Sequence, residues 1–207
     1  LQTRSAENYA HVSIEELPAL LRAINSYPHA KDVRLGLRLL ALLAARPSEI
    51  REARWSEIDL NKKLWTIPAE RMKRRREHVV PLSQQAIEAI KELHTLTGAY
   101  PLLFPGRKNR TIPRSNTVFL MALRRLGYAG RQTGHGFRHI ASTILNEQGF
   151  DENHIEAQLS HVKEGIAGVY NKAVYLPQRK VMMQWYADFL DGLEKGNLVQ
   201  GHFDKAI

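Results

Sequence analysis

The sequence contains no cysteine among its 207 residues. This excludes a disulfide framework and a thiolate metal site, and it fits a reducing cytoplasm. Long apolar runs are missing too. The longest, residues 35–45, is interrupted by Gly36 and Arg38 and is too short to cross a bilayer. We find no signal-peptide pattern and expect no membrane partner.

Several catalytic motifs are also absent. Gly134-His135-Gly136 begins like a dinucleotide-binding loop, but position 139 is His where that motif requires Gly. Neither a phosphate-binding lysine loop nor a Gly-x-Ser-x-Gly elbow occurs. His135 and His139 have a spacing that suits zinc, yet the glutamate of the zinc-protease motif is missing, and the aspartates do not cluster for a two-metal site. We expect neither a metal nor an organic cofactor.

Positive charge is what the chain has in excess. It carries 30 Lys and Arg against 21 Asp and Glu, a formal net charge of +9. Such an excess favours a polyanionic partner, nucleic acid before membrane. A merely basic soluble protein is the plain alternative, so particular motifs must decide between the two.

The periodicity predicts a mainly α fold with a small antiparallel β-sheet. A capping box at Ser13 to Glu16 introduces a first helix, and residues 32–45 are apolar on nearly every face, which indicates a helix buried all round. Short alternating segments predict strands at 55–58, 64–67 and 78–80. Further helices are predicted at about 83–96, 115–126, 134–149, after Asp151, and at 178–194.

The size suits one compact domain. We place it at residues 13–195, between a polar lead-in, residues 1–12, and a C-terminal tail, residues 196–207. Because the first residue is Leu rather than Met, we expect that part of the natural protein lies upstream of it.

The most informative stretch runs from Gly134 to Tyr170. If Phe137 and the apolar residues that follow it face a core, helical spacing puts His135, Arg138 and His139 on an opposite, polar face. A phosphodiester under attack gains negative charge that fixed guanidinium groups stabilise, and its leaving oxygen needs a proton. A phenol has a pKa near 10 and needs help to ionise. We therefore interpret Tyr170 as a nucleophile toward a nucleic-acid phosphate, assisted by nearby cations and imidazoles.

Two upstream features remain ambiguous from the residues alone. Arg46 precedes Pro47, which suits a helix start, so it can face an anion there, although the local pattern favours an ion pair with Glu49. The basic run at residues 71–76 is typical of a solvated hairpin tip, and on a DNA-binding protein such a tip can reach into a groove.

Taken together, these segments resemble the catalytic domain of tyrosine recombinases, the phage integrase family, over about residues 13–192. The order and spacing of five segments carry the resemblance: Arg46-Pro47-Ser48-Glu49-Ile50, Lys73, His135-Gly136-Phe137-Arg138, Leu159-Ser160-His161 and Tyr170-Asn171-Lys172-Ala173. Two further segments resemble integrases of prophages and integrative islands: Trp55-Ser56-Glu57-Ile58-Asp59 and His78-Val79-Val80-Pro81-Leu82-Ser83.

The resemblance implies a role for each matching residue. Arg46 and Arg138 would clamp the scissile phosphate, and Glu49 would support Arg46. His135 would assist proton transfer at Tyr170, which would form a 3′-phosphotyrosyl intermediate. His161 would hydrogen-bond the phosphate. Lys73 would be the general acid toward the 5′ oxygen, and Lys62 and Lys63 are further lysines on the preceding turn.

The resemblance also implies how the protein works. The partner would be double-stranded DNA at attachment sites, and DNA-binding domains upstream of this chain would complete a clamp around the duplex. The protein would be a monomer without DNA and a homotetramer on it, with accessory DNA-bending or excision proteins in a bacterial cytoplasm. Two alternatives stay open: a nicking-closing enzyme like type IB topoisomerases, and a catalytically silent DNA-binding module.

Overall fold

The computed structural model describes residues 9–72, 75–161 and 175–196. Within these ranges the chain forms eight α-helices and three β-strands. The helices are α1 Leu17–Asn25, α2 Lys31–Leu43, α3 Pro47–Arg51, α4 Gln84–Thr97, α5 Val118–Arg125, α6 Gly136–Glu147, α7 Glu152–Gln158 and α8 Leu176–Lys195. The strands are β1 Ile58–Asp59, β2 Leu64–Ile67 and β3 His78–Pro81. The prediction of a mainly helical fold with a small antiparallel sheet is confirmed.

Helix α2 is the centre of the packing. It contacts α1, α3, α4, α5, α6 and α8, and it is buried on most of its surface, as its apolar sequence predicts. Its two internal arginines lie on the side that still meets polar partners: Arg34 pairs with Glu92, and Arg38 pairs with Asp191 and Glu194. The helix ends at Leu43, and the C-cap residue Ala44, whose φ is 50°, turns the chain toward α3.

Local capping residues set the helix starts where the sequence places them. The Ser13 and Glu16 side chains each accept from the other's backbone N–H, and α1 begins one residue later. Ser83 Oγ accepts from Ala86 N at 3.3 Å at the start of α4, and Asp151 Oδ1 accepts from Asn153 N at 2.7 Å at the start of α7. These bonds satisfy N–H groups that the helices leave unpaired.

The sheet is antiparallel in the order β1-β2-β3, with Trp65 paired to both Ile58 and Val80. Trp65 and Ile67 point into the core, as the alternation predicts. The prediction of a strand over residues 55–58 is wrong for its first three residues. Trp55–Glu57 form a 3-10 turn, because the Glu57 carboxylate bends back to accept from Arg54 N at 3.3 Å and from Trp65 Nε1 at 3.0 Å.

The packing brings three chain segments to one place. These are the link between α2 and α3, the N-terminus of α6 and the C-terminus of α7, joined by hydrogen bonds from Arg138 to Ala44 and Leu159. Among the helices of the described ranges, none is long and apolar enough to span a bilayer.

Candidate active site

Arg138 is the fixed centre of this region. Its Nη1 donates to Ala44 O at 2.7 Å and its Nη2 donates to Leu159 O at 2.6 Å. The sequence predicts a position on the polar face of its helix, and the structure adds that this position is buried, because only 8% of the residue is accessible. Carbonyls from two neighbouring helix ends cover that face. Burial, followed by the charge of Arg46, lowers the pKa of Arg138 to about 10, so the side chain remains cationic at neutral pH.

Arg46 lies in the link between α2 and α3, at the N-cap of α3. Its Nη1 donates to Glu49 Oε1 at 2.6 Å, while its backbone N–H donates to Glu49 Oε2 at 2.8 Å. Glu49 is only 5% exposed, so the ion pair that the local pattern predicts is present and largely shielded from water. The charge of Arg46 also lowers the pKa values of His135 and His161, which places all three groups within electrostatic range of one another.

His135 occupies the N-cap of α6 and stacks on Tyr9, with ring centroids 4.4 Å apart. Burial lowers its pKa, and the charges of Arg138 and Arg46 lower it further against an opposing effect of Glu49. The imidazole is therefore neutral at neutral pH and able to accept a proton.

Glycines allow the loop that carries His135 to approach its neighbours. A Cβ on Gly134 would lie 2.6 Å from Pro47 Cγ, and one on Gly136 would lie 2.5 Å from Ala10 O. The Gly134-His135-Gly136 pattern thus serves close packing of this loop against the start of α3 and against residues 9–12.

His161 follows α7 through a left-handed turn at Ser160, whose φ is 53°. Its Nε2 lies 3.1 Å from Arg138 Nη2, and its Nδ1 lies 3.3 Å from Glu156 Oε2. Burial, then the charge of Arg138, lowers its pKa, while Glu156 opposes that effect. The structure thus brings together four of the six predicted site residues: Arg46, His135, Arg138 and His161.

Lys73 and Tyr170 lie outside the described residues. Two cations close to Lys73 in the sequence have identifiable partners. Arg71 pairs with Glu57 and donates through Nη2 to Glu49 O at 2.7 Å, and Lys62 pairs with Asp59 at 3.3 Å. Of the other tyrosines near the C-terminus, Tyr186 is fully buried, which raises the pKa of its phenol, whereas Tyr175 is exposed and packs against His154.

Residues 9–12 contribute contacts that the sequence interpretation missed. Thr133 N donates to Ala10 O at 3.0 Å, Val12 N donates to Gln132 Oε1 at 2.9 Å, and the His11 ring stacks on His139 at 5.3 Å. The aromatic spacing of Tyr9 and His11 was the available signal, but their partners lie more than a hundred residues away. This segment covers the N-terminal turn of α6.

A buried polar network behind the site was also missed. Arg179 donates through Nη2 to Gln158 Oε1 and to Val79 O, both at 2.8 Å, and Gln158 Nε2 donates to Leu43 O at 3.1 Å. His78 Nε2 donates to Gln158 O at 3.1 Å, and burial and the charge of Arg179 lower the pKa of His78 to about 3. The network fixes the end of α7 and hence Leu159 O, the acceptor for Arg138.

In the described part of the chain, no group of three or more His, Asp or Glu side chains is placed to hold a metal ion.

The chain is similar in sequence to proteins of a known family. The model of the phage integrase family matches residues 11–175. Curated relatives include prophage integrase IntZ of Escherichia coli strain K12, 44% identical over 198 residues, and the integrase of Shigella phage Sf6, 36% identical over 187 residues. These alignments cover 95% and 89% of this chain and 49% of each relative. The chain therefore spans about half the length of the curated relatives it matches.

Solved structures agree in fold. The integrase from mycobacterium phage Brujita superposes with a TM-score of 0.62 at 17% identity, over 89% of this chain and 59% of that one. The XerH site-specific recombinase, solved bound to its difH substrate, gives 0.59 at 22% identity, over 86% of this chain and 56% of that one. With a family model that spans most of its length and relatives at this level of identity, the chain belongs to the phage integrase family.

Proposed function

We propose that this chain is the catalytic part of a site-specific DNA recombinase that integrates and excises a mobile element. It would cleave and rejoin double-stranded DNA at attachment sites through a 3′-phosphotyrosyl intermediate, without metal or ATP. The observation that carries the proposal is the fixed Arg138 guanidinium, held between two backbone carbonyls with Arg46, His135 and His161 around it.

The two arginines are suited to bind the scissile phosphate. A guanidinium has five N–H donors, and the described partners of Arg138 take three of them: Ala44 O, Leu159 O and His161 Nε2. Among the described residues the other two have no partner, and they are available for phosphate oxygens, as are the Arg46 donors that Glu49 does not occupy. Because these charges are already oriented, they stabilise the charge that develops on the phosphate with little reorganisation.

The proposed proton transfers combine the sequence match with the neutral state of His135. We assign Tyr170 as the nucleophile on the basis of the sequence match: its phenol oxygen forms a bond to phosphorus as the bond to the 5′ oxygen breaks. His135, whose pKa is lowered, accepts the phenol proton, and Lys73 gives a proton to the departing 5′ oxygen. The 5′-hydroxyl of a partner strand then attacks the phosphotyrosine, which releases Tyr170 and restores a phosphodiester.

Strand exchange between two sites requires more than one protomer. We propose that the protein is a monomer without DNA and forms a homotetramer on two attachment sites, with accessory DNA-bending or excision proteins, on the nucleoid of a bacterial cell. Domains upstream of this chain would complete the contacts with the duplex.

A nicked suicide substrate tests the chemistry. Cleavage beside the nick frees a short 5′-hydroxyl strand that diffuses away, so the covalent adduct accumulates and mass spectrometry can map the joined residue. We expect adduct on Tyr170 and none in Tyr170→Phe, which should still bind the duplex. Tyr175→Phe, the matched control at an exposed tyrosine, should form adduct at the wild-type rate.

Other outcomes would point to other functions. Adduct on Tyr175 or Tyr186 would contradict the assignment of the nucleophile. Binding without any adduct would indicate a silent DNA-binding module. Adduct formation with relaxation of supercoiled DNA, but without junctions between two sites, would indicate a nicking-closing enzyme.

A further inference from the structure

The contact between Glu156 and His161 assigns a role to a residue outside the predicted site. We propose that Glu156 is a positioning residue that orients the His161 imidazole and keeps its Nε2 atom directed toward Arg138 and the scissile phosphate. The inference rests on the proposed recombinase function, and it concerns how one phosphate-binding group is held and charged.

The backbone at the end of α7 fixes where His161 begins. His161 N donates to Glu156 O at 2.9 Å and Ser160 N donates to Ala157 O at 3.3 Å, with Ser160 in the left-handed region. This pair of bonds is a Schellman cap, which turns the chain back along the helix that it leaves. As a result, the side chain of His161 returns to the helix face that carries the Glu156 carboxylate.

Both ring nitrogens of His161 then have defined partners. Arg138 can only donate, so the 3.1 Å contact between its Nη2 and His161 Nε2 requires a lone pair on Nε2. The proton of the neutral ring therefore resides on Nδ1, which lies 3.3 and 3.4 Å from the two oxygens of Glu156. The carboxylate thus selects the tautomer whose Nε2 faces the phosphate-binding side.

The charges around His161 come from three elements. Arg138 on α6 and Arg46 before α3 disfavour its protonation, His139 on α6 lies within electrostatic range, and Glu156 on α7 favours protonation. Burial lowers the pKa most, so the ring is neutral at neutral pH in the free protein. When a phosphate reaches Arg138, His161 can give up the hydrogen bond that it accepts from Arg138 Nη2 and gain a proton on Nε2. It would then be a charged donor to that phosphate, and the Glu156 carboxylate would balance the resulting charge.

The first measurement needs no activity. Ring ¹⁵N chemical shifts of the whole chain, with His161→Asn to assign the signal, report both the tautomer and the pKa of His161. We expect the Nδ1-protonated form in the wild type. In Glu156→Gln the pKa of His161 should fall by about 0.5, the size of the effect of a partly exposed ion pair. Glu147→Gln, the same change at an exposed position of α6, should leave the signal unchanged.

The second measurement is the pH dependence of adduct formation on the suicide substrate. If His161 donates as imidazolium, Glu156→Gln should behave like the wild type at low pH. Above the pKa of His161 it should form adduct about threefold more slowly, which corresponds to the fall of about 0.5 in that pKa. In the His161→Asn background, Glu156→Gln should have no additional effect, since both substitutions remove the same contact between Glu156 and His161.

Two results would overturn the proposal: an unchanged His161 titration in Glu156→Gln, or a rate loss that is equal at every pH and adds fully to that of His161→Asn. Failure of the proposed function looks different. In that case the wild type forms no adduct on any substrate, while the ¹⁵N shifts still report the predicted tautomer and the effect of Glu156.

Discussion

Arg138 is a buried cation that has no carboxylate among its hydrogen-bond partners in the described part of the chain. Its hydrogen-bond acceptors among the described residues are two carbonyls and one imidazole nitrogen, all neutral. Burial, followed by the charge of Arg46, lowers its pKa to about 10. Burying such a charge is costly unless its donors are satisfied. The protein therefore holds in place a group that an arriving phosphate would stabilise further.

Arg138→Lys separates charge from geometry. Lysine keeps the positive charge but cannot donate in a fork to Ala44 O and Leu159 O together, so at least one buried carbonyl loses its partner. We expect a loss of about 1–3 kcal/mol in the free energy of unfolding, measured by urea titration. Adduct formation should slow by about a hundredfold or more, the effect of losing one fixed donor.

The matched control is Arg124→Lys on α5, where the side chain is exposed. If Arg138→Lys behaved like this control, the paired hydrogen bonds of Arg138 to Ala44 O and Leu159 O would not have the role described.

His78 makes stability depend on pH. Its folded pKa of about 3 lies below the value of about 6.5 expected in the unfolded chain, so between these values the unfolded state binds one more proton. Stability therefore falls as the pH falls, by up to about 2 kcal/mol between pH 7 and pH 5 for this one group. His78→Gln should remove that part of the dependence, as read from urea unfolding at both pH values. His29→Gln, at an exposed histidine, should leave it intact; an unchanged slope in His78→Gln would contradict the prediction.

At the scale of elements, the sequence predicts what local chemistry decides. Helix α4 begins after the Ser83 cap and ends just before Gly98, and alternating burial around Trp65 marks β2. These features can be predicted because each depends on residues that are neighbours in the chain. The burial of Arg138 could not be predicted, since its acceptors come from α2 and α7. The turn at Trp55–Glu57 was missed for a similar reason: the Glu57 carboxylate also binds Trp65, eight residues away.

The segment from Tyr9 to Val12 is the second feature that depends on distant residues, and Gly136 permits its approach. A methyl group there would lie 2.5 Å from Ala10 O and 2.9 Å from His11 Cβ, which is too close to tolerate without movement. Gly136→Ala should displace this segment, lower the free energy of unfolding by about 1–3 kcal/mol, and shift the ring NMR signals of His135 and His139 as their partners move away.

The control for this prediction is Thr143→Ala, which brings the same residue into an exposed position of α6 and should change neither quantity by a comparable amount. If Gly136→Ala lowered stability but left both imidazole signals in place, residues 9–12 would not be what orients those rings.

Over the whole molecule, the predicted site depends on connections between segments far apart in sequence. Arg71 joins the base of the β2–β3 hairpin to α3, through Glu57 and Glu49 O. Gln158 joins α7 to α2 and α8. These hydrogen bonds and ion pairs can hold basic groups from several elements at fixed positions. Arg75 and Arg76, at the tip of the hairpin, are exposed and do not belong to this network.

Those two arginines let the electrostatic part of DNA binding be measured. The chain carries a net charge of +9, and without further domains we expect weak binding whose logarithmic affinity falls steeply with the logarithm of salt concentration. If Arg75 and Arg76 each contact one phosphate, replacing both with Ala should reduce that slope by about 2 and weaken binding to all DNA sequences alike, as measured by fluorescence anisotropy.

Lys91→Ala removes one charge from the exposed face of α4 and should leave the slope unchanged. Equal effects per charge at both places would mean that net charge, rather than the hairpin tip, binds the duplex, and an affinity that does not depend on salt would rule out phosphate contacts as its source.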